Sequence, residues 1–433
     1  MTIATQPLAG ASLADRYLAV RRTTDALRAP LTPEDCVVQS MTDASPVKWH
    51  LGHTTWFFEQ FVLRRFTRQA ESFDACFPYI FNSYYTRVGD RQPRAERGMI
   101  TRPSLDRVLE YRRVVDERML ELLSRDALPE EAARITRIGL NHEQQHQELL
   151  LTDVRHALWC GPLQAPYDAD PCPPTTLAAP LEWDEFEAGL LWVGYDGTGF
   201  CYDNEQPAHK VFLRPFALAS RHVTCGEYLA FMADGGYARE DLWLDEGAAA
   251  VRAHGWEAPM YWRRDGDQWL VSTLHGERPV DADEPVTNVG FFEAEAFARW
   301  AGARLPTESE WEAACLRAAE RTSADWRHMV AQGQMLESGW LHPRAATPAD
   351  AALHGLFGTV WEWTRSGYDP YPGYAPEAGA LGEYNGKFMS SQYVLRGGSC
   401  ATPASHIRPT YRNFFHPTKR WQFSGIRLAK DTH

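Results

Sequence analysis

Residues 140–150 read LNHEQQHQELL, and the way this stretch folds decides how the first half of the chain is built. It lies within residues 130–158, where apolar side chains recur every three to four positions, the signature of a helix with one buried face. On such a helix positions i and i+4 share a side, so His142 and His146 stand together. With Glu143 they spell H-E-x-x-H, the spacing of helical zinc proteases. Two imidazoles seldom hold a metal by themselves, and a pair of packed or capping histidines is an equal reading of the bare motif.

Outward from this helix, residues 12–27, 46–66 and 104–124 carry the same periodicity, and four helices of this length make a bundle. Ser12 with Asp15 three residues later, and Pro103 before Ser104, mark helix starts. The second helix contains SPVKWHLGHTTWFFEQF, with His50 and His53 in an apolar, aromatic stripe that faces the core. A bundle collects ligands from facing helices, so one of these imidazoles completes a three-histidine face with His142 and His146. His53 is the better candidate, leaving His50 for a structural contact. Three histidines leave positions open for substrate and dioxygen on an octahedral metal, which suits ferrous iron; zinc remains open on ligand type alone. Residues 72–103 lack periodicity, and a loop of that length within a bundle carries function.

After the fourth helix the texture changes. Residues 161–180, GPLQAPYDADPCPPTTLAAP, hold six prolines and read as a linker. Beyond it, short apolar runs such as LLWVG and KVFLRPFAL alternate with turn formers, and helices are expected only near residues 224–233, 291–300 and 308–319. The expected organisation is a helical bundle over 1–160, a linker over 161–180 and an irregular α+β domain over 181–433, in keeping with a chain of 433 residues.

A formal charge of −13 offers no general footprint for nucleic acid or an anionic membrane. No run of about 18 apolar residues and no basic, apolar leader is present, which points to a cytoplasmic protein. The eight cysteines form no C-x-x-C pair and read as reduced thiols.

The segments DNEQPAHKVFLRPFALASRHVTCGEYLAFM, PVTNVGFFEAEAFARWAGARLPTESEWEAA, GTVWEWT, VLRGGS and SGIRLA resemble, in order, the blocks of the formylglycine-generating-enzyme and sulfatase-modifying-factor fold, a relative of C-type lectins. Together with S-P-x-x-W-H-L-G-H, H-E-Q-Q-H and R-N-x-x-H-P-x-x-R-x-x-F-S-G-x-R, nearly the whole chain resembles the ergothioneine-biosynthetic sulfoxide synthases. That resemblance implies a DinB-like four-helix bundle whose His53, His142 and His146 hold iron(II). It implies joining the sulfur of a cysteine derivative to C2 of the imidazole of N-α-trimethylhistidine (hercynine), with dioxygen consumed and a sulfoxide left. Hercynine, cysteine and dioxygen are then the small-molecule partners, and homo-oligomerisation stays open.

The remaining roles follow from residue chemistry and from the resemblance together. Gln145, between the two helical histidines, can hydrogen-bond a bound imidazole. Asn413 and Phe414 match family positions lining the trimethylammonium and carboxylate pocket, where an aromatic face suits a quaternary ammonium. Where relatives using γ-glutamylcysteine carry an aspartate this chain has Phe415, which favours free cysteine as donor. Arg87, Lys419 and Arg420 are candidate cations for the donor carboxylate. Tyr84 and Tyr85, in the long loop, are the expected acid on the oxygen side and its partner. The resemblance points instead to a tyrosine of the C-terminal domain, which offers Tyr368, Tyr371, Tyr374 and Tyr384.

Three rival functions remain to be weighed. A zinc hydrolase lacks its usual completion, since Leu149 and Thr152 occupy the metzincin Gly and His positions. A formylglycine-generating oxidase needs a late cysteine pair, yet Cys400 is the last and Cys315 lies far before it. A lectin-like module with a structural bundle predicts no bound metal.

Overall fold

A computed structural model of the chain describes residues 10–68, 71–172, 176–197, 199–321, 325–345 and 353–432. Of the expected linker, residues 173–175 lie outside the described residues. The chain divides into two compact units. The first runs to Asp168 and also takes Glu377–Tyr384, so a short piece of the C-terminal half belongs to the helical unit. The second comprises Ala169–Pro376 and Asn385–His433.

In the first unit α1 (Leu13–Arg28), α2 (Val47–Phe58), α3 (Leu105–Leu123) and α4 (Glu130–Cys160) form the bundle. α2 packs on α3 and α4, and α1 on α4 and α3. The α1 start has the expected capping box between Ser12 and Asp15, and the Ser104 side chain accepts from the Arg107 N–H at the start of α3. α2 runs on through a π-helical turn, Glu59–Leu63. Two glycines set the spacing around α2. A Cβ at Gly139 on α4 would lie 2.5 Å from the Phe58 ring, and one at Gly52 on α2 would lie 2.1 Å from the Phe81 ring.

The second unit is assembled from small sheets. β1 (Trp183–Phe186), β4 (Phe216–Ala219) and β12 (Ala429–Asp431) form one antiparallel sheet, with β4 central. β2 (Gly189–Val193) pairs with β3 (His209–Leu213), and β5 (Trp262–Asp265), β6 (Gln268–Thr273) and β7 (Gly276–Pro279) form a meander. The fourth sheet has the order β10 (Asn413–Phe415), β9 (Tyr393–Arg396), β8 (Trp361–Gly367), β11 (Ser424–Gly425). Helices α5 (Cys225–Ala233), α6 (Phe291–Trp300) and α7 (Glu308–Arg321) stand where the sequence places them, but the expectation of only these three is corrected by further helices at Asp245–His254 and Trp326–Gln332.

The charged residues of the sequence blocks meet inside this unit. Glu362 of GTVWEWT accepts from Trp311 Nε1 at 2.7 Å and Arg427 Nε at 2.9 Å, and lies 2.9 Å from His222 Nε2. Glu308 of LPTESEW pairs with Arg396 of VLRGGS at 2.9 Å and with Arg412 at 2.8 Å. A buried charge is tolerable only when paired and hydrogen-bonded, so these blocks are the two halves of ion pairs that must be present together.

Candidate metal centre

α2 and α4 bring histidines to one buried point. His53, His142 and His146 each offer a ring nitrogen, and these atoms lie within 4.8 Å of one another. The His53 Nδ1 is 2.6 Å from the Phe81 carbonyl oxygen. A carbonyl only accepts, so Nδ1 carries the proton and Nε2 keeps its lone pair. That Nε2 faces His142 Nε2 at 3.1 Å. Trp49 stacks on the His53 ring with 4.5 Å between centroids and 12° between planes, and the Arg97 guanidinium lies 3.3 Å over Trp49.

Burial keeps these rings neutral. It pushes His53 and His146 well below the ordinary histidine value, with neighbouring imidazoles adding to the effect. Burial, partly opposed by Glu143, brings His142 down to about 3. Neutral imidazole is the form that binds metal, and two lone pairs 3.1 Å apart repel unless a proton or a cation lies between them. The donor set therefore fits a divalent metal, with coordination positions left over for other ligands.

Glu143 takes no part in the cluster. One position round α4 from His142, it is buried between α1 and α3. It accepts from Arg21 Nη1 at 2.9 Å, Arg112 Nη2 at 2.8 Å and Thr24 Oγ1 at 2.7 Å. Burial alone would raise its carboxyl, but Arg112 and Arg21 hold it down to about 2. Arg21 also reaches Asp116 at 2.7 Å and Thr55 Oγ1 at 3.0 Å, so this ion-pair knot ties all four helices. A carboxylate with both oxygens committed to guanidinium groups is a poor hydrolytic base, which removes the zinc-protease reading of the motif.

His50 and Asp153 were not among the expected site residues. His50 Nδ1 lies 2.8 Å from His146 Nδ1, and His50 Nε2 lies 3.1 Å from Asp153 Oδ2. Asp153 follows His146 by seven residues, two helical turns on the same face, a spacing that could have pointed to it.

The tyrosines separate by their neighbours. The Tyr384 ring lies edge-on to His142 with centroids 5.4 Å apart, and 5.9 Å from Tyr84. Tyr84 in turn lies 4.7 Å from Tyr85. Tyr85 is fully buried against Trp56 and Phe61, and burial raises its hydroxyl strongly, so it stays protonated. Tyr384 thus stands between His142 and the expected pair. No local signal separates it in sequence from Tyr368, Tyr371 and Tyr374. Those three have structural partners within the second unit: the Tyr368 hydroxyl accepts from Asn204, Tyr371 donates to Glu308, and Tyr374 donates to Asp203.

Gln145 is half-buried on α4 beside His146. Arg87, expected at a substrate carboxylate, instead anchors the segment that carries Tyr384. Its N–H and that of Thr86 donate to Glu383 at 3.0 Å, and its guanidinium donates to the Gly379 carbonyl at 3.0 Å. Within the second unit, Asn413 caps its own strand by accepting from the Phe414 N–H, and Phe414 stacks on Tyr368 at 4.0 Å. Phe415 packs edge-on against Trp421, and Lys419 follows in the turn after β10. Arg420, another candidate cation, pairs with the buried Glu293 carboxylate at 2.8 Å and lies over Trp256.

Residues 185–432 match the family described as the sulfatase-modifying factor enzyme 1-like domain, and residues 16–150 match the DinB superfamily. Over 406 residues the chain is 34% identical to a hercynine oxygenase from Mycobacterium tuberculosis, covering 89% of this chain and 91% of that protein. It is 33% identical over 403 residues to a hercynine oxygenase from Mycolicibacterium thermoresistibile, covering 89% and 87%. A formylglycine-generating enzyme from Streptomyces coelicolor is 31% identical over 269 residues, 54% of this chain and 84% of that enzyme.

Proposed function

The chain belongs to the hercynine oxygenase family, and from that premise we propose that it holds iron(II) on His53, His142 and His146 and joins free cysteine to hercynine. It is an oxygenase, and its role is that of a hercynine sulfoxide synthase. In this reading the S–H bond of cysteine and the C2–H bond of the imidazole are lost and a C–S bond forms. One atom of dioxygen ends on sulfur and the other leaves as water. The likeness to hercynine oxygenases spans both units, whereas the likeness to a formylglycine-generating enzyme spans about half of the chain, which disfavours the latter activity.

The observation that carries the metal assignment is the convergence of three neutral imidazoles, two of them buried and the third half-buried, with no carboxylate among them. Bound iron(II) supplies the activation of dioxygen and a site at which thiolate and imidazole can be aligned. The chain does the rest. Gln145 orients the hercynine imidazole through its amide. The Tyr384 phenol gives the proton on the oxygen side, supported by its contact with His142, and Tyr84 and Tyr85 back it.

Anaerobic loading with iron(II), then addition of hercynine, cysteine and oxygen, tests the reading. The expected product has the mass of hercynine plus cysteine plus one oxygen, less two hydrogens. Absence of that adduct with both cysteine and γ-glutamylcysteine overturns it. For the donor alone, Phe415→Asp is expected to raise use of γ-glutamylcysteine relative to cysteine, and an unchanged donor ratio removes the argument from Phe415.

A further inference from the structure

The geometry points to Asp153 and His50 as positioning residues that fix His146 in the tautomer whose Nε2 is free for the metal. The inference needs the three-histidine metal site proposed above, but not the identity of the substrates.

A carboxylate accepts and does not donate, so the contact between Asp153 Oδ2 and His50 Nε2 at 3.1 Å places a proton on that Nε2. Asp153 is itself held, because Oδ2 also accepts from the Ser45 N–H at 2.8 Å. His50 Nδ1 and His146 Nδ1 are 2.8 Å apart, a distance that requires one proton between them. His146 turns Nδ1 towards His50, so it can meet the metal only through Nε2, and a ring that binds through Nε2 carries its proton on Nδ1. His146 Nδ1–H therefore donates to His50 Nδ1, and the His146 lone pair is left on Nε2. Both outer residues are almost wholly buried, His50 at 3% and Asp153 at 5% exposure, so no bulk water competes for these bonds.

The three ligands are thus held unequally. His146 is backed by a chain that ends in a carboxylate and His53 by a single carbonyl, while His142 Nδ1 is buried with no hydrogen-bond partner among the described residues. Outer partners of metal-bound histidines orient the ring and raise its basicity, and their loss typically costs about 10–100-fold in metal affinity.

The test uses the full chain, with cobalt(II) and iron(II) as probes under anaerobic conditions. His50→Phe keeps a ring but no acceptor, and is expected to weaken binding of both metals by about 10–100-fold and to alter the cobalt d–d bands. His50→Asn, whose amide oxygen can accept from His146 Nδ1–H, should recover a large part of that loss. Asp153→Asn should fall between the two. Wild-type affinity and an unchanged cobalt spectrum in His50→Phe overturn the inference while leaving the metal site intact; failure of the wild-type chain to bind either metal removes the site itself. Should His50→Phe not fold, the tautomers decide. In zinc-loaded wild-type protein with ¹⁵N-labelled histidine, His146 is expected to carry its proton on Nδ1 and His50 on Nε2, and any other assignment overturns the relay.

Discussion

The two units bury polar groups in opposite ways. In the second, buried carboxylates have countercharges: Glu362 has Arg427, Glu308 has Arg396 and Arg412, and a further buried pair joins Glu205 to Arg408. In the first, three histidines converge with no carboxylate among them, and burial holds them neutral. A closed ion pair has no remaining demand for a ligand and serves the fold. Converging lone pairs have an unmet demand for a cation and serve binding. The first unit also contains its own closed knot at Glu143, so the contrast runs between faces of a single helix.

The largest effect expected from this contrast is on metal binding. His142→Ala should lower metal affinity by more than the about 100-fold upper end for an outer partner, without lowering the thermal midpoint of the metal-free protein. A midpoint that falls by several degrees would instead make the cluster structural, and the contrast would break. Next, Arg427→Met in the second unit leaves Glu362 without its guanidinium, at an expected cost of about 3–5 kcal/mol in denaturant unfolding. Near-wild-type stability would show that the pair is not what closes the core.

Glu143→Gln probes the same logic beside the metal site. Its carboxyl sits at about 2 in the folded chain, against an ordinary value of 4.5. A lowered folded value means stabilisation that is complete above 4.5 and is lost as pH falls towards 2, on the order of 3 kcal/mol for this shift. The stability gap between wild type and Glu143→Gln should accordingly shrink on acidification through that window, while metal affinity changes little. A variant that folds but loses metal would return Glu143 to the site. The smallest expected effect is on product distribution. Tyr384→Phe should divert turnover towards simple thiol oxidation more than Tyr84→Phe or Tyr85→Phe does, measured as the ratio of sulfoxide adduct to oxidised cysteine. The reverse order would restore the acid role to the loop pair.

Much of this was legible beforehand because it depends on local rules. The helices of the bundle follow from apolar periodicity, and the Ser12 and Ser104 caps follow from side chains that satisfy the first free N–H groups. His142 and His146 share a face by helix geometry alone. The choice of His53 over His50 was open to sequence reasoning only as a preference, since both lie on the same apolar stripe. What separates them is Phe81, whose carbonyl lies against His53, and Asp153, which lies against His50.

The sequence by itself determined the helices, the division of texture near residue 160, and a chemistry of histidines, because periodicity, proline content and residue type act over a few neighbours. Only the tertiary structure decided which groups those residues meet. It sent Glu143 into a knot of arginines and committed Arg420 to Glu293. It also brought Tyr384, more than two hundred residues distant in sequence, against His142. Charge and hydrogen-bond partners are chosen by packing across the whole chain, and sequence spacing does not carry that information.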